Sequence, residues 1–354
     1  MSQFYVGMDL HTSNLQICIM DQDGKAILEK KTSCCFTQIL ELLSSYGPDL
    51  KIAVESTYNW YWLVDGLMEA GYDVRLAHAY GLKLITGAKV KTDRRDARRL
   101  ARYLRLDELP EAYIYPKEKR PYRDLLRRRM NLVQFRSAAY TSLRIQFRQY
   151  NCDTFSFDGL KGIDDDIIEG LTLPDPTKLY TKMTLQHIHL FSEHIKVLER
   201  EIKNSVKTEP EVGLLKTSPG IHDILGMTIY YEAGDVHRLK SDRHFASYCR
   251  VVPPISSSGD SSSRGRGGKQ GNPYLKWAFC QAATHAGRYY TDCRRFKERH
   301  ARRRSGSLGR LKANNILAHK LATAAFFILR DGVPITQRCS TDDLGKQVNP
   351  TENC

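Results

Sequence analysis

The feature that most constrains the fold is a series of short apolar segments in the first 106 residues. Turn signals such as Asp21-Gln-Asp-Gly24 separate the early segments, whereas later ones have the three- and four-residue spacing of helices. The patterns predict strands at 4–9, 15–20, 26–31, 52–54 and 74–77, and helices at 36–43, 60–70 and 93–106. A hairpin meander followed by alternating helices and strands forms a mixed sheet, so an α/β domain is expected. No glycine-rich phosphate turn follows the first strand, which disfavours a dinucleotide-binding fold.

Four carboxylates occupy comparable places in these elements. Asp9 ends the first strand and Glu55 follows an apolar strand, while Asp93 and Asp96 share one face of a helix. Acids at one edge of a sheet, with a helix crossing that edge, can hold Mg²⁺ or Mn²⁺ through their oxygen atoms. Two such ions would stabilise the attacking and leaving oxygens of a phosphodiester exchange. The order of the elements together with these acids describes a ribonuclease-H-like core.

A purely structural interpretation of the same acids remains open. An Asp at the end of a strand often only caps a helix, and Asp93 and Asp96 could pair with neighbouring arginines on the surface. Their spacing is compatible with both interpretations.

The positive charge of the chain is concentrated in two blocks. Residues 81–150 contain 19 Lys and Arg against 7 Asp and Glu, and residues 261–313 contain 14 against 2, in a chain of net charge +14. Tyrosines and a tryptophan are interleaved with this charge, and arginines with aromatic rings suit phosphates and bases. A nucleic acid is therefore the expected partner. The candidate contacts are Arg94, Arg95, Arg98, Arg99, Arg127, Arg128, Arg264, Arg266 and Lys269.

The remainder of the chain is mostly helical in pattern. Residues 119–150 and 185–206 predict two long amphipathic helices, which suggest a coiled coil and an assembly surface. Ser218-Pro-Gly-Ile221 resembles the hairpin of a helix-hairpin-helix element, and helices are again expected at 272–289 and 314–329. The predicted domains are a catalytic domain at 1–112, a helical connector at 113–210, a C-terminal domain at 211–335 and a disordered tail at 336–354.

The nine cysteines and the hydropathy pattern indicate the cellular compartment in which the chain is expected. No CxxC pair is present, so the thiols are expected to be reduced, as in a cytoplasm. No apolar run is long enough to predict a membrane helix, and the first residues do not resemble a secretory signal.

A second candidate for chemistry is the segment from Ile255 to Lys269, which is rich in serine, glycine and basic residues. Its composition predicts no regular element. A serine hydroxyl becomes a nucleophile only with a base or a metal ion, and no nearby histidine supplies the base. The alternative is a flexible linker that contacts backbone phosphates.

These motifs together resemble one family. The Gly7-Met-Asp9 strand, the Glu55-Ser-Thr-Tyr58 strand end and the Lys91-Thr-Asp-Arg-Arg-Asp-Ala97 helix start are similar to the RuvC-like N-terminal domain of the DEDD transposases. These are recombinases of insertion sequences, of the one-hundred-and-ten family, and DNA invertases of the Piv type are related. Three later segments resemble the C-terminal domain of the same family: 218–221, 252–259 and 269–275. The similarity is colinear over about residues 4–335.

The resemblance implies a set of roles. The catalytic tetrad would be Asp9, Glu55, Asp93 and Asp96, which hold Mg²⁺ or Mn²⁺, and the family's nucleophilic serine falls on Ser258. Neighbouring serines, from Ser256 to Ser263, leave the register open by a few residues. The implied partners are donor and target DNA, a structured non-coding bridge RNA and further copies of the chain, as a dimer or tetramer. The implied location is a cytoplasm of the prokaryotic type, near the nucleoid.

Three functions from different classes follow from the sequence. The first is an RNA-guided DNA recombinase that uses the serine. The second is a metal-dependent, structure-selective DNA nuclease that resembles a Holliday-junction resolvase and uses water. The third is a non-catalytic nucleic-acid-binding protein, which the intact tetrad disfavours.

Overall fold

The computed structural model of the chain describes residues 3–86, 93–152, 159–205, 209–252, 256–258, 261–263, 270–302 and 306–334. The chain divides into two compact units, Met1–Lys117 and Glu118–Cys354. The predicted tail at 336–354 lies outside the described residues. The described helices include none that is both long and apolar enough to cross a membrane.

The first unit is a five-stranded mixed sheet covered by helices on both faces. Its elements are β1 (Phe4–Leu10), β2 (Asn14–Met20), β3 (Ala26–Ser33), α1 (Phe36–Ser44), β4 (Leu50–Glu55), α2 (Tyr61–Glu69), β5 (Asp73–Ala77), α3 (Ala79–Thr86) and α4 (Asp93–Arg105). The strand order is β3-β2-β1-β4-β5, with β1, β4 and β5 parallel and the other pairs antiparallel. This arrangement confirms the predicted α/β fold of the ribonuclease-H and RuvC type. Helix α3 was not predicted.

Residues of β1 alternate between the two faces of the sheet. Val6, Met8 and Leu10 pack in one core with residues of α1 and α2. Gly7 faces α4, and a Cβ atom there would collide with the backbone of Ala97 and Ala101. The missing side chain therefore lets α4 lie directly on β1, a close approach that only glycine allows.

The second unit is helical. It contains α5 (Arg120–Gln149), α6 (Asp165–Gly170), α7 (Asp175–Ser205), α8 (Pro210–Leu215), α9 (Asp223–Ala233), α10 (Asp242–Tyr248), β6 (Ser256–Ser258), β7 (Ser261–Ser263), α11 (Pro273–Tyr289), α12 (Thr291–Ala301) and α13 (Gly306–Asp331). Helices α5 and α7 run antiparallel, since Arg129 pairs with Glu199 near one end and Gln146 bonds to Thr177 near the other. Helices α9 to α13 surround a second core that includes Phe245, Phe279 and Leu321.

Several predicted bounds in this unit were wrong. Helix α7 begins at Asp175, ten residues before the predicted start, because its first turns expose Leu179 and Met183 and bury threonines, so apolar residues do not mark the buried face there. Helix α13 begins at Gly306 rather than at 314, and α12 was not predicted. Residues 255–270 were expected to be irregular, but two runs of three serines pair as the antiparallel strands β6 and β7. The two runs are two residues apart in the sequence, a spacing typical of a hairpin that the composition concealed.

The predicted hairpin at 218–221 lies between α8 and α9. Gly220 has a φ of +78°, a conformation that side chains disfavour, and a Cβ atom there would collide with the backbone of α11. The close packing of this turn thus depends on glycine. The separation of the connector at 113–210 from the C-terminal domain at 211–335 stays a prediction, and α5 packs on α9 within the second unit.

Candidate active site at the carboxyl edge of the sheet

Two predicted acids meet at the carboxyl ends of parallel strands. Strands β1 and β4 pair with Met8 opposite Val54, so Asp9 and Glu55 follow at equivalent positions. Asp9 lies two residues after Gly7, and Glu55 lies two residues after Ala53, so each acid shares a face of the sheet with that residue. Gly7 and Ala53 face α4. Asp9 is buried, whereas Glu55 is partly exposed. The register therefore places both carboxylates on the face that α4 covers.

The other two acids lie in the first turn of α4. Asp93 is about half exposed, and Asp96 is mostly enclosed and accepts a hydrogen bond from Arg99 at 3.2 Å. Negative side chains are favourable at this end of a helix, where backbone N–H groups point outward. The contact of α4 with Gly7 positions Asp93 beside the end of β1.

A residue absent from the predicted site joins two of these acids. The Nε2 atom of His11 lies 3.3 Å from Oδ2 of Asp9 and 3.3 Å from Oδ1 of Asp93. In the part of the chain that the structure describes, Asp9, His11 and Asp93 each offer one potential metal-ligand atom, and these three atoms all lie within 4.8 Å of one another. Glu55 and Asp96 are not members of this group. The missed signal was the two-residue spacing of Asp9-Leu-His11, which keeps the histidine on the same side of the chain.

Two loops hold His11 in place. Its backbone N–H donates to the carbonyl of Asn14, and its own carbonyl accepts from Nδ2 of Asn59 at 3.1 Å. Thr57 in turn donates to Oδ1 of Asn59 at 2.9 Å. The hydroxyls of Thr12 and Tyr58 form a further bond of 3.0 Å between the same two loops. The turn after β1 is thereby attached to the segment that follows Glu55.

The donor set fits a divalent cation. Two carboxylate oxygens suit Mg²⁺ and Mn²⁺, and an imidazole nitrogen adds a ligand that transition metals accept more readily than Mg²⁺. Neighbouring ligands of an octahedral ion with bonds of about 2.1 Å lie about 3 Å apart. The two separations of 3.3 Å around His11 are close to that value.

Three of the six arginines on α4, Arg94, Arg98 and Arg99, pair with an acid. Arg94 and Arg98 both pair with Glu29 on β3, and the Arg98 Nε atom lies 2.9 Å from the carboxylate. Hydrogen bonding from Arg94, together with the charges of both arginines, lowers the pKa of Glu29 despite its desolvation. Arg95 is exposed, so its guanidinium is accessible to a phosphate.

In the second unit, Arg127 belongs to a buried network. Its guanidinium donates to both carboxylate oxygens of Glu232, at 2.5 and 2.8 Å, and lies over the ring of Tyr274. Burial opposes the charged form of Arg127, but the hydrogen bonds and charge of Glu232 outweigh it and raise its pKa. Asn272 also donates to Glu232, at 2.7 Å. These contacts give Arg127 a structural role, whereas the neighbouring Arg128 is exposed.

The remaining predicted residues belong to the serine hairpin, formed by β6 and β7, or follow it in the sequence. Ser258 ends β6 and pairs with Ser261 across the hairpin. Arg264, Arg266 and Lys269 lie outside the described residues. The roles assigned to all of these residues stay predictions.

Comparisons with known proteins agree with this architecture. Residues 6–152 match the profile of a transposase family of the DEDD and IS110 type, and residues 212–301 match the family described as "Transposase IS116/IS110/IS902 family". The transposase for insertion sequence element IS1328 of Yersinia enterocolitica is 25% identical over 338 residues, which cover 92% of this chain and 97% of that protein. A probable family 20 transposase of Pseudomonas aeruginosa is 23% identical over 282 residues, 77% of this chain and 80% of the relative. The transposase for IS1111A of Coxiella burnetii is 22% identical over 278 residues, 77% of this chain and 74% of the relative.

Proposed function

Since the chain belongs to the IS110/IS116 family of DEDD transposases, we propose that it cuts and rejoins DNA through Ser258 with the help of a divalent cation. The observation that carries the proposal is the convergence of Asp9, Asp93 and His11 at the carboxyl edge of the sheet. Two carboxylates held this close in a fold favour a bound cation between them. Glu55 and Asp96 complete the proposed tetrad from the adjacent strand end and helix turn.

The proposed reaction is a transesterification. The Ser258 oxygen forms a bond to a DNA phosphorus and loses its proton, while the bond from that phosphorus to a deoxyribose oxygen breaks and that oxygen takes up a proton to give a free hydroxyl. Reversal of this step on a partner strand rejoins the DNA, so no nucleotide cofactor is consumed. Mg²⁺ or Mn²⁺, when bound, supplies charge stabilisation at the phosphate and activates an oxygen nucleophile. The role of Asp9 is to present a fixed, buried ligand, because its burial leaves the side chain little freedom.

The proposed partners are DNA and a structured non-coding guide RNA. Arg95 and Arg128, two of the predicted contacts, are exposed and therefore accessible to phosphates. A cleft beside the turn after β2 is lined by Arg98, Arg102 and Arg105, which adds a second concentration of positive charge in the first unit. Two polyanions require more basic surface than one, which agrees with the two basic blocks of the chain.

Homo-oligomerisation, as a dimer or tetramer, is also part of the proposal. The tetrad lies in one unit and Ser258 in the other, so a site could combine residues of different copies. Helix α7 exposes Met183, Leu190 and Val197 at seven-residue intervals, a spacing typical of helices that pair with another helix. Light scattering of the purified protein, alone and with DNA, measures the state directly.

A metal-dependent nuclease is the second candidate. Asp9, His11 and Asp93 all belong to the first unit, so a bound cation could activate water there without any contribution from Ser258. In that case the serine hairpin would only bind DNA.

Trapping of a covalent adduct separates the two candidates. The protein is incubated with Mg²⁺ and end-labelled DNA that contains the ends of the element, then denatured and resolved by size. The recombinase gives a protein–DNA adduct that Ser258→Ala abolishes, while Ser257→Ala and Ser261→Ala retain it. An adduct that survives Ser258→Ala contradicts the assignment of this serine. Cleavage without any adduct in the unaltered protein identifies the nuclease.

A further inference from the structure

The environment of His11 extends the proposed site, and the inference that follows rests on that proposed function. We infer that His11 is a protein ligand of the divalent cation through Nε2, and that this nitrogen makes the site prefer Mn²⁺ to Mg²⁺. The four-carboxylate set expected from the sequence contains oxygen donors alone, which would not produce this preference.

The first support is the position of the nitrogen. Nε2 of His11 is equidistant, at 3.3 Å, from one oxygen of Asp9 and one oxygen of Asp93. The atom is enclosed although the ring as a whole is partly exposed, and it makes no hydrogen bond in the described structure. A buried imidazole nitrogen without a hydrogen bond is unfavourable, and a cation among the three donor atoms would compensate it.

The second support is the rigidity of the turn that carries His11. Both backbone groups of the residue are engaged, by the carbonyl of Asn14 and by the amide of Asn59. The Thr57 hydroxyl fixes Asn59 in turn. Metal ligands are typically oriented by such outer contacts, because a fixed ligand loses little freedom on binding.

A direct ion pair is the competing explanation of the same contacts. A protonated His11 could lie between two carboxylates and neutralise them without a metal. Nε2 carries at most one proton, however, and its geometry meets the hydrogen-bond criteria with neither acid. Coordination to a shared ion accounts for two equal separations, since neighbouring ligands of one ion lie about 3 Å apart.

The preference for Mn²⁺ follows from ligand chemistry. Mg²⁺ strongly favours oxygen donors and gives up water reluctantly, whereas Mn²⁺ accepts imidazole nitrogen. We expect His11→Ala to weaken Mn²⁺ binding at least about tenfold and to weaken Mg²⁺ binding less. His11→Asp, which restores an oxygen donor, should shift the preference toward Mg²⁺.

The test measures Mn²⁺ bound to the full-length protein by electron paramagnetic resonance. Electron spin-echo modulation from ¹⁴N reports a histidine nitrogen on the ion, and Mg²⁺ competition gives the relative affinity. Asp9→Asn defines the signal that belongs to this site, and circular dichroism checks that each variant is folded. His78→Ala is the matched control, because His78 is the other histidine of the first unit and follows β5.

The inference predicts ¹⁴N modulation in the unaltered protein and in His78→Ala, and its loss in His11→Ala and His11→Asp. Mn²⁺ binding that depends on Asp9 but shows no ¹⁴N modulation overturns the role of His11 and leaves the carboxylate site intact. Should Mn²⁺ binding be independent of Asp9, the metal site of the proposed function fails as well. If His11→Ala does not fold, His11→Asp decides, since persistent ¹⁴N modulation in that variant contradicts the inference.

Discussion

Asp9 and Glu232 are both acids with 2% of their surface exposed, yet their surroundings differ. Glu232 receives two hydrogen bonds from Arg127 and one from Asn272, so its charge is compensated within the second unit. Asp9 instead faces His11 and a second carboxylate, that of Asp93. Removing one partner of a buried ion pair is costly to the fold, whereas two acids that lie close together favour a cation between them.

Because of this difference, substitution of Glu232 is expected to change stability, whereas substitution of Asp9 is expected to change activity. Neutralising Glu232 leaves the Arg127 charge uncompensated in a largely buried position, so the cost falls on stability. Neutralising Asp9 removes one of two neighbouring negative charges, so the fold loses little and the bound cation loses a ligand. Variants of the two acids should therefore separate activity from stability.

The largest expected effect is on the activity of Asp9→Asn. Loss of a buried ligand should lower DNA cleavage by about 10⁴-fold, which corresponds to about 5 kcal/mol in the barrier. The free energy of unfolding should stay unchanged or rise slightly, because repulsion between carboxylates is relieved. Cleavage of DNA that carries the element ends, together with urea unfolding, measures both quantities. Retention of activity within tenfold would show that Asp9 is only structural.

The second prediction concerns Glu232→Gln. We expect a loss of about 3 kcal/mol in the unfolding free energy, since the guanidinium of Arg127 keeps its charge without its acidic partner. Urea unfolding measures the loss. Glu193→Gln is the matched control, because Glu193 pairs with Lys196 on the exposed surface of α7 and its removal should leave stability unchanged. Equal behaviour of the two variants would contradict the comparison between buried and exposed acids.

Gly7→Ala tests whether helix packing places the second acid beside Asp9. The added methyl group must displace the backbone of α4, and we expect a cost of about 1–3 kcal/mol in stability. Because Asp93 begins that helix, Mn²⁺ affinity should fall as well. Gly213→Ala is the control, since a Cβ atom there meets nothing within 4 Å. Unaltered metal affinity in Gly7→Ala would show that the position of Asp93 does not depend on this contact.

The sequence predicted the sheet of the first unit because its determinants are local. Apolar alternation and turn residues mark each strand, and the carboxyl ends of β1 and β4 bring Asp9 and Glu55 to one edge in any sheet of this order. The serine hairpin and the start of α7 were not predicted, because neither has the apolar periodicity on which the prediction depended.

The partners of individual side chains could not be predicted. Arg94 and Glu29 are 65 residues apart, and they meet only because α4 crosses the sheet at a depth that Gly7 allows. The approach of His11 to Asp93 depends on the same packing and on the bonds that fix its turn. A register predicts which residues share a face, but not which polar atoms finally touch.

Glu29 provides the smallest expected effect, because it is an enclosed acid whose cationic partners are exposed. Its side chain is only 10% exposed, but its partners Arg94 and Arg98 are 71% and 54% exposed, so solvent screens the pairing. The pKa of Glu29 is lowered in the folded protein from its ordinary value of 4.5, mainly by the hydrogen bond from Arg94. Its contribution is therefore fully present above pH 4.5 and is lost as the pH falls through the lowered pKa.

Glu29→Gln should reduce the unfolding free energy by no more than about 1 kcal/mol at pH 7, and the difference from the unaltered protein should shrink below pH 4.5. Urea unfolding at a series of pH values between 3 and 7 measures this difference, with Glu41→Gln on the exposed side of α1 as control. A loss as large as that of Glu232→Gln would mean that burial of the acid alone sets the strength of an ion pair. A small loss would show that the exposure of the arginines decides it, because a charge that water already solvates gains little from its partner.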